Sequence, residues 1–206
     1  LNINGKELWT LLTGTFNAYN ITAAYAAAEL SGIEEEDILR HLSSLTSVRG
    51  RFETISSAGI TVIIDYAHTP DALNNVLKTI NEIKNKTARL ITVVGAGGNR
   101  DKGKRPLMAQ IAENGSDRVI LTSDNPRNED PEHIIEEMFK GVSEGKQVLK
   151  ITNRKEAIKT AILTALKGDI VLIAGKGHET YQEIKGIRHH LDDREIAENT
   201  LKQIRN

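Results

Sequence analysis

From about residue 53 onward, apolar and polar positions along this chain alternate between two periods, one of strands and one of helices. Short runs of aliphatic and β-branched residues bounded by turn signals read as buried strands over 61–65, 89–94, 118–122, 147–151 and 169–174. Between them, apolar residues recur at helical spacing. The segment 71–84 places Leu73, Val76, Leu77, Ile80 and Ile83 on one side, and helices are expected over 106–114, 131–142 and 153–167, the last capped by Asn153 and followed by Gly168. Strands and helices in this order predict an α/β fold with a mostly parallel sheet and helices on both faces. Tyr181–Ile184 and Ile187–His190 flank Lys185-Gly186, a two-residue hairpin signal, and Asp193–Ile204 reads as an amphipathic helix.

Residues 1–48 are patterned differently. An apolar run at 8–12 leads to the Ala-rich stretch 23–30, expected as a tightly packed helix ended by Gly32, and then to a helix over 34–45 with Ile38, Leu42 and Leu45 on one face. Asn17 and Asn20 lie three residues apart across the expected helix start, so both amides can face one ligand or simply cap the helix. The stretch Val48-Arg49-Gly50-Arg51-Phe52-Glu53 reads as a hinge, dividing the chain into 1–48 and 49–206.

Composition narrows the function classes. With 27 basic and 28 acidic residues among 206, the net charge is −1 and no global field draws the chain to nucleic acid. No apolar run is long enough for a membrane helix, and the absence of cysteine excludes disulfides and thiolate metal sites while allowing a reducing compartment. The chain opens without an initiator Met or a secretory pattern, and a fragment of a longer protein is expected.

Chemistry concentrates where strands end. Ser123 to Pro131 follows one strand and precedes a helix with Asp130 as N-cap and Pro131 at its first position. Within it, Asp124 and Asn125 can receive an ammonium group and Arg127 offers a planar fork for a carboxylate, together a receptor for an amino acid; the alternative is a capped loop with solvated charges. Asp65-Tyr66-Ala67-His68-Thr69-Pro70 puts His68 beside a helix start, in reach of an anion or merely solvated.

Gly98 to Lys104 fits the spacing of a phosphate loop, but Arg105 stands where Ser or Thr would hold Mg²⁺ and Pro106 follows, so that reading is rejected. The dinucleotide glycine pattern is also broken, by Arg100. What remains is a glycine turn with four cations, Arg100, Lys102, Lys104 and Arg105, that can meet an anion or solvent. Gly175-Lys176-Gly177-His178-Glu179 permits a tight turn, with Glu179 able to hold a second ammonium. These loops are expected at one edge of one sheet, hence around one cleft. His189-His190 gives no metal site, because neighbouring strand residues face opposite ways.

Taken together, Phe16-Asn-Ala-Tyr-Asn20, Gly50-Arg-Phe-Glu53, Asp65-Tyr-Ala-His-Thr-Pro70, Gly97-Gly-Asn-Arg-Asp-Lys-Gly-Lys-Arg-Pro106, Asp124-Asn-Pro-Arg127 and Gly175-Lys-Gly-His-Glu179 resemble, in order, the motifs of the Mur ligase family of peptidoglycan synthesis. The resemblance implies that 1–48 is the helical tail of a central ATPase domain and that 49–206 is a Rossmann-like C-terminal domain that binds the incoming amino acid. It implies a cytoplasmic, monomeric, ATP-dependent amide ligase working through an acyl phosphate, with ATP and Mg²⁺ bound mainly by parts of the central domain that match nothing in this chain. The fragment alone is therefore expected to be inactive, and no metal ligand or catalytic residue is assigned within it.

The resemblance also carries residue roles. Asn17, Asn20, Arg51, Asp65 and His68 match positions that meet ATP. Arg100, Asp124, Asn125, Pro126, Arg127, Gly175 and Glu179 match the amino-acid site. In the family, Asp-Asn-Pro-Arg accompanies meso-diaminopimelate, added to UDP-N-acetylmuramoyl-L-Ala-D-Glu. Lysine-adding members lack the Arg, and the physics agrees, since lysine would leave Arg127 unpaired. Asn99 departs from the family's more frequent Asp. The rivals are a lysine-adding member, a folylpolyglutamate-synthetase-like ligase, and a non-catalytic amino-acid or nucleotide-binding module.

Overall fold

The computed structural model describes residues 1–12, 14–145 and 148–204, and the chain divides into two compact units, 1–48 and 49–206. In the first, β1 (Asn2–Ile3) and β2 (Lys6–Glu7) form a small hairpin, followed by α1 (Thr15–Leu30) and α2 (Glu35–Ser43). Ile3, Leu8, Ile21, Tyr25, Ile38 and Leu42 make its core. The helix α1 begins at Thr15, well before the Ala-rich run, and Leu45 falls beyond the end of α2.

The second unit contains, in chain order, β3 (Glu53–Ser57), β4 (Ile60–Asp65), α3 (Pro70–Ile83), β5 (Leu90–Ala96), α4 (Lys104–Gly115), β6 (Arg118–Ser123), α5 (Pro131–Phe139), β7 (Val148–Lys150), α6 (Arg154–Leu163), β8 (Ile170–Ala174), β9 (Tyr181–Ile184), β10 (Ile187–His190) and α7 (Asp193–Ile204). The main sheet runs β3-β4-β8-β5-β6-β7, with β3 antiparallel and every other pairing parallel. Helices α3, α4 and α5 pack side by side on one face, and α6 and α7 on the other. The β5 and β8 strands are buried along their whole length, which is why they read as continuous apolar runs rather than alternating ones. On the α6–α7 side, Val62, Ile64, Val93 and Ile173 meet Ala157, Ile158, Ala161, Ala197 and Leu201. Each fully buried Val, Ile or Leu contributes about 1.5–3 kcal/mol relative to exposure.

Departures from the sequence reading have local causes. The edge strand β3 was not anticipated; its turn, Ala58-Gly59, has φ of 53° and 77°, a type I′ geometry without the usual Asn-Gly signature. The same geometry at Lys185-Gly186, φ 50° and 78°, forms the expected hairpin, which stands as a separate two-stranded sheet. Helix α4 starts at Lys104 and carries Pro106 in its first turn, where the missing N–H has no partner to lose. Helices α5 and α6 stop short of the expected 142 and 167. Gln147, the expected first residue of β7, lies outside the described residues. Between α6 and α7, the fully buried Arg154 pairs with Asp193 at 2.7 and 2.9 Å and donates to the Ala174 carbonyl at the end of β8.

Candidate functional site

At the carboxyl ends of β4, β8, β5 and β6 lies a cleft of about 350 Å³. Its walls include Tyr66, His68, Arg100, Lys104, Asp124, Asn125, Arg127, Gly175 and Glu179. The two glycine-bearing loops, the 124–131 loop and the His68 loop therefore share one opening, where open α/β sheets hold ligands. Of the residues expected to contact an amino acid, Pro126 alone lies off the cleft surface, and it shapes the backbone instead. A Cβ on Gly98 would sit 1.9 Å from the Pro126 carbonyl oxygen, so only glycine lets the 97–106 and 124–131 loops meet. At Gly175, with φ 115°, a Cβ would sit 2.9 Å from Asp124 Oδ2.

The side of the cleft formed by the 124–127 and 175–179 loops is densely bonded. Asp124 Oδ1 accepts from the Asn125 N–H at 2.7 Å, leaving Oδ2 beside Gly175. The Asn125 side-chain oxygen accepts from Lys176 Nζ at 3.0 Å and from the Glu183 N–H at 2.9 Å, while its amide donates to Glu179 Oε2 at 2.8 Å. This corrects the expectation that Asn125 receives a ligand ammonium, because both lone pairs of its oxygen are occupied by the protein. Glu179 is likewise already paired, with the fully buried Lys176 at 2.9 Å. Lys176 was missed as a site residue, and its place between two glycines concealed that it would be buried. Arg127, at φ 52°, donates from Nη1 to the Gly98 carbonyl at 2.8 Å.

Arg105 requires a second correction. It is fully buried and spoken for by Glu129 at 2.9 Å, by Glu137 and by the Gly97 carbonyl, so it cannot meet a ligand anion. Its guanidinium and the Asn99 N–H hold the Glu129 carboxyl down to about 2. Asn99 adopts φ 51° and accepts from the Asn128 N–H at 3.0 Å. A carboxylate in its place would add negative charge next to Glu129, which gives the departure from Asp a local reason. Lys102 lies 3.5 Å from Glu129, leaving Arg100 and Lys104 as the cleft's basic residues from this loop.

The opposite wall is looser. Arg51 stacks on the Tyr66 ring at 4.7 Å, and Tyr66 meets His68 edge-on. His68 is exposed, with Nδ1 2.8 Å from the Tyr66 carbonyl oxygen. Lys104 Nζ donates to the His68 carbonyl, and burial lowers its pKa. Asp65 and Arg51 do not line the cleft. Asp65 is buried, which raises its pKa, and its oxygens accept from the Phe52 and Ala67 N–H groups at 2.7 and 2.8 Å. Asn17 and Asn20 belong to the first unit, within α1 rather than across its start; α1 opens at Gly14 with no side-chain cap. The Asn20 amide donates to Asn17 Oδ1 at 3.5 Å.

A mostly parallel sheet with a cleft of charged and polar side chains at its carboxyl edge is the arrangement of an α/β ligand-binding domain, and residues 50–177 match the family described as Mur ligase, glutamate ligase domain. The chain belongs to the Mur ligase family. It is 59% identical, over 95% of its own length, to UDP-N-acetylmuramoyl-L-alanyl-D-glutamate--2,6-diaminopimelate ligase of Parabacteroides distasonis. It spans 41% of the length of that relative. A solved structure of a ligase with the same description aligns over 97% of this chain and 41% of its own, at 44% identity and a TM-score of 0.75. Folylpolyglutamate synthase of Thermotoga maritima, at 22% identity and a TM-score of 0.64 over 82% of this chain and 38% of its own, shares the fold alone.

Proposed function

We propose that this chain is part of an ATP-dependent amide ligase that joins meso-diaminopimelate to UDP-N-acetylmuramoyl-L-alanyl-D-glutamate in peptidoglycan synthesis. The relatives' names support the reaction, and one observation carries the substrate: Asp124 and Arg127 stand on one wall of one cleft, an acid for an ammonium and a guanidinium for a carboxylate. On this reading, residues 1–48 end a central ATP-binding domain and residues 49–206 form the amino-acid domain. The enzyme acts in the cytoplasm as a monomer.

Asp124 takes an ammonium through its open Oδ2, and Arg127 takes the distal carboxylate that lysine lacks. Glu179, with Lys176 beside it, supplies a near-neutral pair that orients the amino end without adding net charge. Arg100 and Pro126 complete the loop contacts, the first through charge and the second through backbone. ATP, when bound, supplies the phosphoryl group that activates the acceptor carboxylate, and Mg²⁺ is held mainly outside this chain. The exposed His68, Lys104 beside it and the Arg51–Tyr66 stack fit an anionic, ring-bearing ligand and would meet the nucleotide, with Asp65 holding their loop; Asn17 and Asn20, in the first unit, are assigned to the nucleotide by the family resemblance alone. Closure would exclude water from an acyl phosphate.

Calorimetric titration with meso-diaminopimelate and with L-lysine tests the substrate. Binding of the first alone is expected. Equal binding of both overturns the role of Arg127 and with it the substrate. Absence of binding by either sends the same titration to the full-length enzyme with a nucleotide analogue present.

A further inference from the structure

The β9–β10 hairpin carries none of the residues given a ligand above, yet it holds the loop that bears most of them. Gln182 Nε2 donates to the Asp124 carbonyl at 2.6 Å and to Ser123 Oγ at 3.3 Å, and the Glu183 N–H donates to Asn125 Oδ1 at 2.9 Å. Arg127 joins the strand itself: its N–H donates to the Glu183 carbonyl at 3.0 Å, and its carbonyl accepts from the Lys185 N–H at 2.7 Å. These two bonds hold Arg127 in a left-handed conformation, φ 52°, that a bulky side chain seldom adopts, and such backbone persists only where its surroundings over-determine it.

The guanidinium is held as well. Nη1 donates to the Gly98 carbonyl, and Nε lies 3.5 Å from Glu183 Oε2. Among the described residues, Nη2 is left without a partner. A rotation of the guanidinium would break both restraints. A side chain ordered before its ligand arrives loses less freedom on binding.

We propose that the β9–β10 hairpin is the positioning element for the distal carboxylate of the incoming amino acid, with Glu183 as the residue that aims Arg127. This rests on the diaminopimelate-ligase reading. Glu183 does not touch the substrate; it acts through Arg127, and the backbone bonds from the same strand set the height at which Arg127 leaves the loop.

The test is steady-state kinetics of the full-length enzyme with E183A, E183Q, R127A and the R127A/E183A double variant. In E183A the KM for meso-diaminopimelate should rise about fivefold, with kcat and the KM for ATP within about twofold, and E183Q should fall between wild type and E183A. In the R127A background, E183A should add less than about twofold, because the two residues act as one unit. A meso-diaminopimelate KM within about twofold in E183A, KM values for all substrates that rise together, or equal effects of E183A with and without Arg127 each overturn the proposal. Should E183A not fold, E183Q and its double with R127A give the same three readings. An R127A enzyme with unchanged diaminopimelate KM overturns the parent reading instead, so the two failures are told apart.

Discussion

The two walls of the cleft stand on the same sheet edge and are built by opposite means. The wall that carries Asp124 and Arg127 is bonded from behind: Lys176, Glu183 and Gln182 hold the 124–127 loop, and Arg105 with Glu129 clasps it to the 97–106 loop. The facing wall, Tyr66 and His68, is held from outside the cleft by the loop bonds of Asp65 and by the Arg51–Tyr66 stack, with His68 left exposed. A small zwitterion gains from a site ordered in advance, since every group fixed before binding spares entropy afterward. A larger ligand gains more from groups free to adjust. The contrast teaches that burial of charge here serves geometry rather than contact with ligand.

Breaking the stiff wall should therefore cost stability first. R105M removes a buried guanidinium from Glu129, Glu137 and the Gly97 carbonyl, and urea unfolding should show a loss of about 4 kcal/mol, as for a broken buried pair. A loss below about 1 kcal/mol would show that the clasp is dispensable. K176M should follow at about 3 kcal/mol, because Glu179 and one lone pair of Asn125 lose their buried partner. An unchanged unfolding midpoint would mean that Glu179 turns out to solvent and that the wall is softer than drawn.

Glu129 sharpens the comparison through pH. Arg105 and the Asn99 N–H hold its pKa at about 2, against an ordinary 4.5. A depressed carboxyl adds stability that is complete above its ordinary pKa and is withdrawn as pH falls through that window. Wild type should lose more stability than E129Q between pH 4.5 and about 2, while E129Q is less stable at neutral pH by about 1–2 kcal/mol; parallel pH curves would contradict the pairing. On the looser wall the effect should be smallest. H68A should raise the KM for ATP of the full-length enzyme about threefold, less than 1 kcal/mol, and leave the KM for diaminopimelate unchanged. An equal rise in both would erase the distinction between the walls.

Much of the framework was legible along the chain because its determinants are local. Strand and helix periods, Asp130 with Pro131 at the start of α5, Asn153 ahead of α6, and the Lys185-Gly186 turn are all written within a few residues. The edge strand β3 was not, because Ala58-Gly59 lacks the composition that marks such turns. Asp124, Arg127 and Arg100 could be singled out because their chemistry matched a ligand at a strand end.

The partners of those residues could not be read in the same way. Lys176 and Arg105 look in sequence like solvated cations among glycines, and burial alone turned them inward to Asn125, Glu179, Glu129 and Glu137. The role of β9 as the backing of the Arg127 loop joins residues more than fifty positions apart, such as Asn125 and Glu183 with a separation of 58. The sequence by itself determined most of the parallel strands and helices, what family the chain belongs to, and which side chains suit an amino acid. Only the tertiary structure decided which charges face the cleft and which are consumed in building it, because that choice depends on desolvation and on long-range packing, and neither leaves a local mark.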